Sequence, residues 1–175
     1  MLPSREPGLT FLSTLDKEHI ETIRVWRNEP QIWRWCRQNN LITEPQQLTW
    51  FESQSQDPTI RMFGVFDSRR QLVGVCGLTS IDLINRRAEF SCYIAPQFQR
   101  LGHCRRALCD LFDYGFEQMN LHQIWGETFA QNPALELFLD LGMIQDGVRR
   151  DFYFKDGQYT DAILISVLSH EWMPQ

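Results

Sequence analysis

At 175 residues the chain is long enough for one domain with a full core, and its 43% hydrophobic and 13% aromatic residues supply the material for it. Charged residues make up 22% and leave a formal net charge of −5, which argues against a general nucleic-acid binder, whose surface carries a basic excess or stripe. Five scattered cysteines without a CxxC pair read as buried thiols of a reducing compartment, and four distant histidines match no metal-ligating pattern, so no metal site is expected.

Met1–Gly8 has no apolar leader region, and no stretch approaches the roughly 18–20 apolar residues that span a bilayer, so the chain reads as cytoplasmic and soluble. Thr10–Leu15 predicts a first strand. Asp16 offers an N-cap to a helix striped by Ile20, Ile23, Val25 and Trp26, which Asn28-Glu29-Pro30 breaks. A second helical pattern carries Ile32, Trp33 and Trp35. Thr43-Glu44-Pro45 opens another, with Leu48, Trp50 and Phe51, and Asp57-Pro58 ends it.

From Ile60 the period becomes that of strands, Met62–Phe66 and Leu72–Leu78 flanking the turn Asp67–Arg70. Ala88–Ile94 alternates, with Ala88, Phe90, Cys92 and Ile94 on one face and Glu89, Ser91 and Tyr93 on the other, until Pro96 ends it. The longest helical signal follows, through Ala107, Leu108, Leu111, Phe112, Phe116 and Met119. His122–Phe129 reads as a strand, Pro133–Leu141 as a short helix stopped by Gly142, and Arg149–Lys155 with Tyr159–Leu168 as a hairpin about Asp156-Gly157. The order β-α-α-β-β-β-α-β-α-β-β predicts an α/β fold with a mixed central sheet flanked by helices, in a single domain over residues 1–175.

Between a strand and the long helix stands Gln99-Arg100-Leu101-Gly102-His103-Cys104. A helix start leaves N–H groups unpaired and carries positive partial charge, a glycine lets phosphate approach, and Arg100, Arg105 and Arg106 add charge. Taken alone, the turn is equally an ordinary strand–helix connection with surface arginines.

The turn resembles the Gln-x-x-Gly-x-Gly/Ala pyrophosphate signature of the GNAT N-acetyltransferase superfamily, with Cys104 at the last small position. Trp26-Arg27-Asn28-Glu29-Pro30, Trp50-Phe51 with Asp57-Pro58, Leu141-Gly142-Met143, Asp156–Asp161 and Glu171-Trp172 are similar, in the same order, to the "WRN-D/E-P", "WF…DP", "LGF", "DGxYxD" and terminal "EW" segments of its RimJ/RimL-like branch, which includes ribosomal-protein N-terminal and amino-sugar acetyltransferases. The resemblance implies a GNAT fold and transfer of an acetyl group from acetyl-CoA to a primary amine. The acceptor is left open among a protein N-terminus, an amino sugar and a polyamine or other small amine. A catalytically degenerate module that binds CoA or a protein is the alternative. A homodimer is compatible with either, and neither membrane nor nucleic acid is expected as a partner.

The resemblance further implies that Cys92, Tyr93 and Ile94 hold the pantetheine through main-chain groups, and that Gln99, Arg100, Leu101, Gly102, His103, Cys104 and Arg105 hold the pyrophosphate. Asn132 contacts the CoA arm, with Gln131 an equal contender. Glu127 is the first candidate for a general base and Glu89 the second; the alternative is an ordinary strand-edge glutamate for Glu127 and a satisfied polar residue of a sheet face for Glu89. Phe138 stands where many members carry a proton-donating tyrosine, which leaves Tyr153, Tyr159 or water. Trp33, Trp35, Trp50 and Phe51 are candidate acceptor walls or plain core, and Glu52 a candidate for holding a cationic amine. Arg149 and Arg150 either meet an anionic acceptor or are solvated.

Overall fold

A computed structural model of the chain describes residues 10–54 and 56–173. The reading of Met1–Gly8 lies outside these residues. Seven strands form one sheet in the order β1-β2-β3-β4-β5-β7-β6: β1 Thr10–Ser13, β2 Arg61–Asp67, β3 Leu72–Asp82, β4 Arg87–Ile94, β5 Gln123–Phe129, β6 Ile144–Lys155 and β7 Gln158–Leu168. All neighbours are antiparallel except β4 and β5, as a strand–helix–strand crossover requires.

Helices cover both faces. On one side α4 (His103–Asp113) and α5 (Ala134–Asp140) pack with Leu108, Leu111, Phe112 and Phe138 against Val73, Leu78, Phe90 and Ile124. Each large side chain fully buried there contributes about 1.5–3 kcal/mol of transfer free energy. On the other side α1 (Ile20–Asn28), α2 (Pro30–Trp33) and α3 (Glu44–Gln54) lie over a second core of Ile23, Trp26, Ile32, Phe66 and Val75.

Three details differ from the sequence reading. The three helical patterns before Ile60 each form a helix, one more than the order β-α-α-β counts, and Glu29, extended before Pro30, leaves α2 a single turn. The long helix passes at Tyr114–Gln118 into a π-helical turn, where Gly115 leaves room for the Ile124 side chain that a Cβ would meet at 2.9 Å. β6 begins at Ile144, five residues earlier than its alternation suggests, since most of its side chains are exposed on an edge strand. Asp156 (φ +51°) and Gly157 (φ +81°) make the expected two-residue hairpin turn.

The feature that positions the site is the divergence of β4 from β5. Only Arg87–Glu89 pairs with Gln123–Trp125, although both strands run on. At the fork the Phe90 ring fills the space beside Gly126, where a Cβ would lie 2.3 Å from Cε1. The ring is wedged there edge-on to Phe112 and Phe138.

Candidate active site

Past β4, Gln99 folds back so that its Nε2 donates to the Ile94 carbonyl at 2.9 Å. Arg100 (φ +62°) and Gly102 (φ +84°) both turn left-handed, and α4 begins at His103. Arg106 N donates to Gly102 O at 3.1 Å as the first helical bond, so the N–H groups of His103, Cys104 and Arg105 have no carbonyl within the helix. A Cβ on Gly102 would meet nothing within 4 Å. The open face and the positive end of an 11-residue helix together fit a pyrophosphate.

The side chains of the turn divide sharply. The His103 ring points inward, with Nδ1 2.7 Å from Thr10 Oγ1, and leaves only its backbone to a ligand. Arg105 pairs with Asp140 at 3.5 Å and Arg106 with the buried Asp110 at 3.0 Å, while Arg100 and Leu101 are exposed at the tip. Cys104 Sγ lies 3.5 Å from Cys92 Sγ. Their hydrogen bond and burial push the Cys104 thiol well up. For Cys92 that bond acts downward, but a bond with Cys76 and burial outweigh it, and its thiol also rises.

Cys92, Tyr93 and Ile94 border the fork. Cys92 packs on the α4 face and Tyr93 on the opposite one, as the alternation predicts. Asn132 is tied up locally: its Nδ2 donates to Thr128 Oγ1 at 2.8 Å and its Oδ1 accepts from Ala134 N, the first residue of α5, at 3.0 Å. Gln131 Oε1 accepts from Thr160. Phe138 is buried against Phe90.

Glu89 and Glu127 share the face of Ser91 and Tyr93, and both carboxylates are buried. Arg37, from the loop after α2, lies 2.6 Å from Glu89 Oε1. Arg149 lies 2.6 Å from Glu127 Oε2, and the Tyr153 hydroxyl donates to Glu127 Oε1. Both oxygens of Glu127 are thus engaged. Burial raises the Glu89 carboxyl, and Arg37 only partly offsets it. Burial and the bond to Glu127 push Tyr153 up to about 12. Arg149 and Tyr153 converge because β6 bulges between them, advancing four residues while β7 advances two.

Next to Glu89 on this face lies a cavity of about 490 Å³ between α1, α3, β3 and β4. Ser91, Tyr93, Thr79 and Trp50 line it, and Gln38, Asn40, Leu41 and Ile42 form part of its rim. The rim is anchored through its backbone. Asn28 donates to Ile42 O and accepts from Ile42 N, each at 2.8 Å, and Lys155 donates to Cys36 O at 2.7 Å and Gln38 O at 2.9 Å. Lys155 Nζ also sits 4.0 Å from the Trp33 ring centroid. Trp33 is therefore part of the anchor rather than of the wall, and Glu52 is exposed outside the lining.

Arg37, Lys155 and the amides Gln38, Asn40, Gln46 and Gln47 are the site residues that sequence reasoning missed. Gln47, buried to 4% exposure, carried the one readable signal, a polar side chain at a core-facing helix position. Among the described residues no helix is long and apolar enough to cross a membrane.

The family model described as "Acetyltransferase (GNAT) domain" matches residues 10–143. A spermidine N(1)-acetyltransferase of Vibrio cholerae is 32% identical over 118 residues, 67% of this chain and 68% of that one. The enzyme of the same name from Escherichia coli is 26% identical over 174 residues, covering 99% and 87%. A crystal structure of spermidine N-acetyltransferase from Vibrio cholerae in complex with CoA and spermine superposes with a TM-score of 0.89 at 26% identity, covering 93% of this chain and 97% of that one. The turn at Gly102, the forked sheet and these matches agree: the chain belongs to the GNAT acetyltransferase family, as an N-acetyltransferase that uses acetyl-CoA and a primary amine.

Proposed function

We propose that the donor lies in the fork between β4 and β5 and the acceptor in the cavity beside Glu89. The observation that carries this is the fork itself, which leaves the backbone of Ser91–Ile94 without a β5 partner and leads to the open helix start at Gly102. Acetyl-CoA supplies the acyl group as an activated thioester. The amides of His103, Cys104 and Arg105, with Gly102 and Arg100, hold the pyrophosphate, and the main chain of Cys92, Tyr93 and Ile94 holds the pantetheine. Gln99 and Leu101 shape the turn, and Asn132 orients the first turn of α5 beside it.

Of the two glutamates, we assign Glu89 as the general base. Its carboxyl is raised by burial, and it stands opposite Thr79 and two residues before Ser91, both of which line the cavity. It accepts the proton that the amine sheds as nitrogen bonds to the acetyl carbon. Glu127, with both oxygens engaged, holds Arg149 and Tyr153 in place. Tyr153 stays protonated at neutral pH with its one proton donated to Glu127, so water supplies the proton that Phe138 cannot give to the leaving sulfur.

The relatives named for spermidine keep a polyamine among the acceptors left open. We further propose one domain over residues 1–175, a cytoplasmic location consistent with five unpaired thiols, and a second copy packing on the exposed β6 edge near Val148, Phe152 and Phe154. Calorimetric titration with acetyl-CoA tests the donor site. Saturable binding that Gly102→Glu abolishes is expected, and binding indifferent to that change refutes the assignment.

A further inference from the structure

One wall of the cavity carries four amides, Gln38, Asn40, Gln46 and Gln47, beside Leu41, Ile42 and Trp50. Its charged member is Arg27, which lies 5.5 Å over the Tyr93 ring centroid and donates through Nη2 to Gln38 Oε1 at 2.8 Å. Because a guanidinium only donates, this bond fixes which end of the Gln38 amide is oxygen. Among the described residues the lining holds no carboxylate. The nearby carboxylates of Glu89 and Glu127 are already ion-paired, with Arg37 and Arg149.

An ammonium group carries donors only. Each further ammonium of a polycation would meet the positive charge of Arg27 with no carboxylate in the lining to balance it. A hydroxyl, a carbonyl oxygen or one anionic group meets no such repulsion. We infer that the acceptor is a small molecule with one reacting amino group on a body rich in hydrogen-bond acceptors, and not a polyamine. The cavity volume of about 490 Å³ falls in the roughly 300–1,000 Å³ range of small-ligand sites. The inference rests on the reading that an amine is acetylated beside Glu89.

The test measures CoA thiol release by the full chain with spermidine, glucosamine, glucosamine 6-phosphate and a serine-initiated tripeptide amide, beside calorimetric titration of acetyl-CoA. A kcat/KM for one of the sugar amines at least about tenfold above that for spermidine is expected. The variant Asn40→Asp with Gln46→Glu adds two acids at nearly unchanged shape, and a carboxylate at 46 still accepts from Thr43 N, as Gln46 does at 2.9 Å. It should move the ratio toward spermidine by about tenfold. Spermidine as the better substrate of the unaltered chain overturns the inference and leaves the acetyltransferase reading standing. The tripeptide as the best substrate overturns the small-molecule acceptor. Saturable acetyl-CoA binding with no thiol release from any amine overturns the reading itself and the inference with it.

Discussion

The Arg37 guanidinium, on a loop beyond α2, sits 2.6 Å from the buried carboxylate of Glu89 on β4. The pair joins the acceptor loop to the strand that borders the donor. It also holds in check a carboxyl that burial pushes up from its ordinary 4.5.

Removing that cation gives a signed pH effect. Glu89 must be ionised to act as a base, so kcat/KM should rise with pH through its raised pKa. In Arg37→Gln the restraint is lost, and the rising limb should move to higher pH. Stability should follow the same sign: a carboxyl whose folded pKa lies above its unfolded value holds more protons folded, so its contribution is lost as pH rises through that window. Urea melts at several pH values should show the variant losing more stability at the alkaline end of this window than at its acid end.

The two glutamates should separate by the kind of damage. Glu89→Gln is expected to lower kcat by about 10²–10⁴, the range for a positioned acid or base. Glu127→Gln removes the partner of Arg149 and Tyr153 and should cost about 1–2 kcal/mol in melting experiments, with a smaller loss of kcat. The opposite pattern would return the base role to Glu127.

Gly102 takes φ +84° at the open helix start. Gly102→Ala should cost about 1 kcal/mol in stability from the left-handed backbone. Its methyl group faces the anion's approach, so the Kd for acetyl-CoA should rise by about tenfold or more, read by calorimetry. An alanine variant with unchanged affinity would move the pyrophosphate away from this turn.

Cys92 and Cys104 face each other at 3.5 Å with both thiols shifted up. Neither is a competent nucleophile near neutral pH, since reactivity follows the thiolate. Intact-mass spectra after incubation with acetyl-CoA should show no acetyl adduct on either cysteine, and iodoacetamide should label them only after unfolding. A trapped acetyl-cysteine would require a two-step reaction in place of direct transfer.

Local patterns carried the fold a long way. The alternation of Ala88–Ile94 placed Glu89, Ser91 and Tyr93 on one face, the spacing of Leu108, Leu111 and Phe112 placed α4, and Asp156-Gly157 placed the last hairpin, because each is a short-range periodicity or a backbone requirement. The turn at Gly102 was legible for the same reason. The Arg37–Glu89 and Lys155–loop contacts were not, since they join segments whose approach depends on the whole sheet order. Arg149 shows the limit most clearly: its spacing allowed either solvent or an anionic ligand, and the bulge in β6 turns it onto Glu127.

The rim of the cavity is gripped by its main chain. Asn28, Lys155 and Arg24 reach the backbone of Cys36, Gln38 and Ile42, so these clamps are indifferent to what the loop's side chains are. Residues 39–41, between the Arg37–Glu89 pair with the Arg27–Gln38 bond and the clamp at Ile42, can therefore be exchanged as a cassette while β4, α4 and the donor site stay as they are. One scaffold can thereby diverge toward different amines by rewriting three positions.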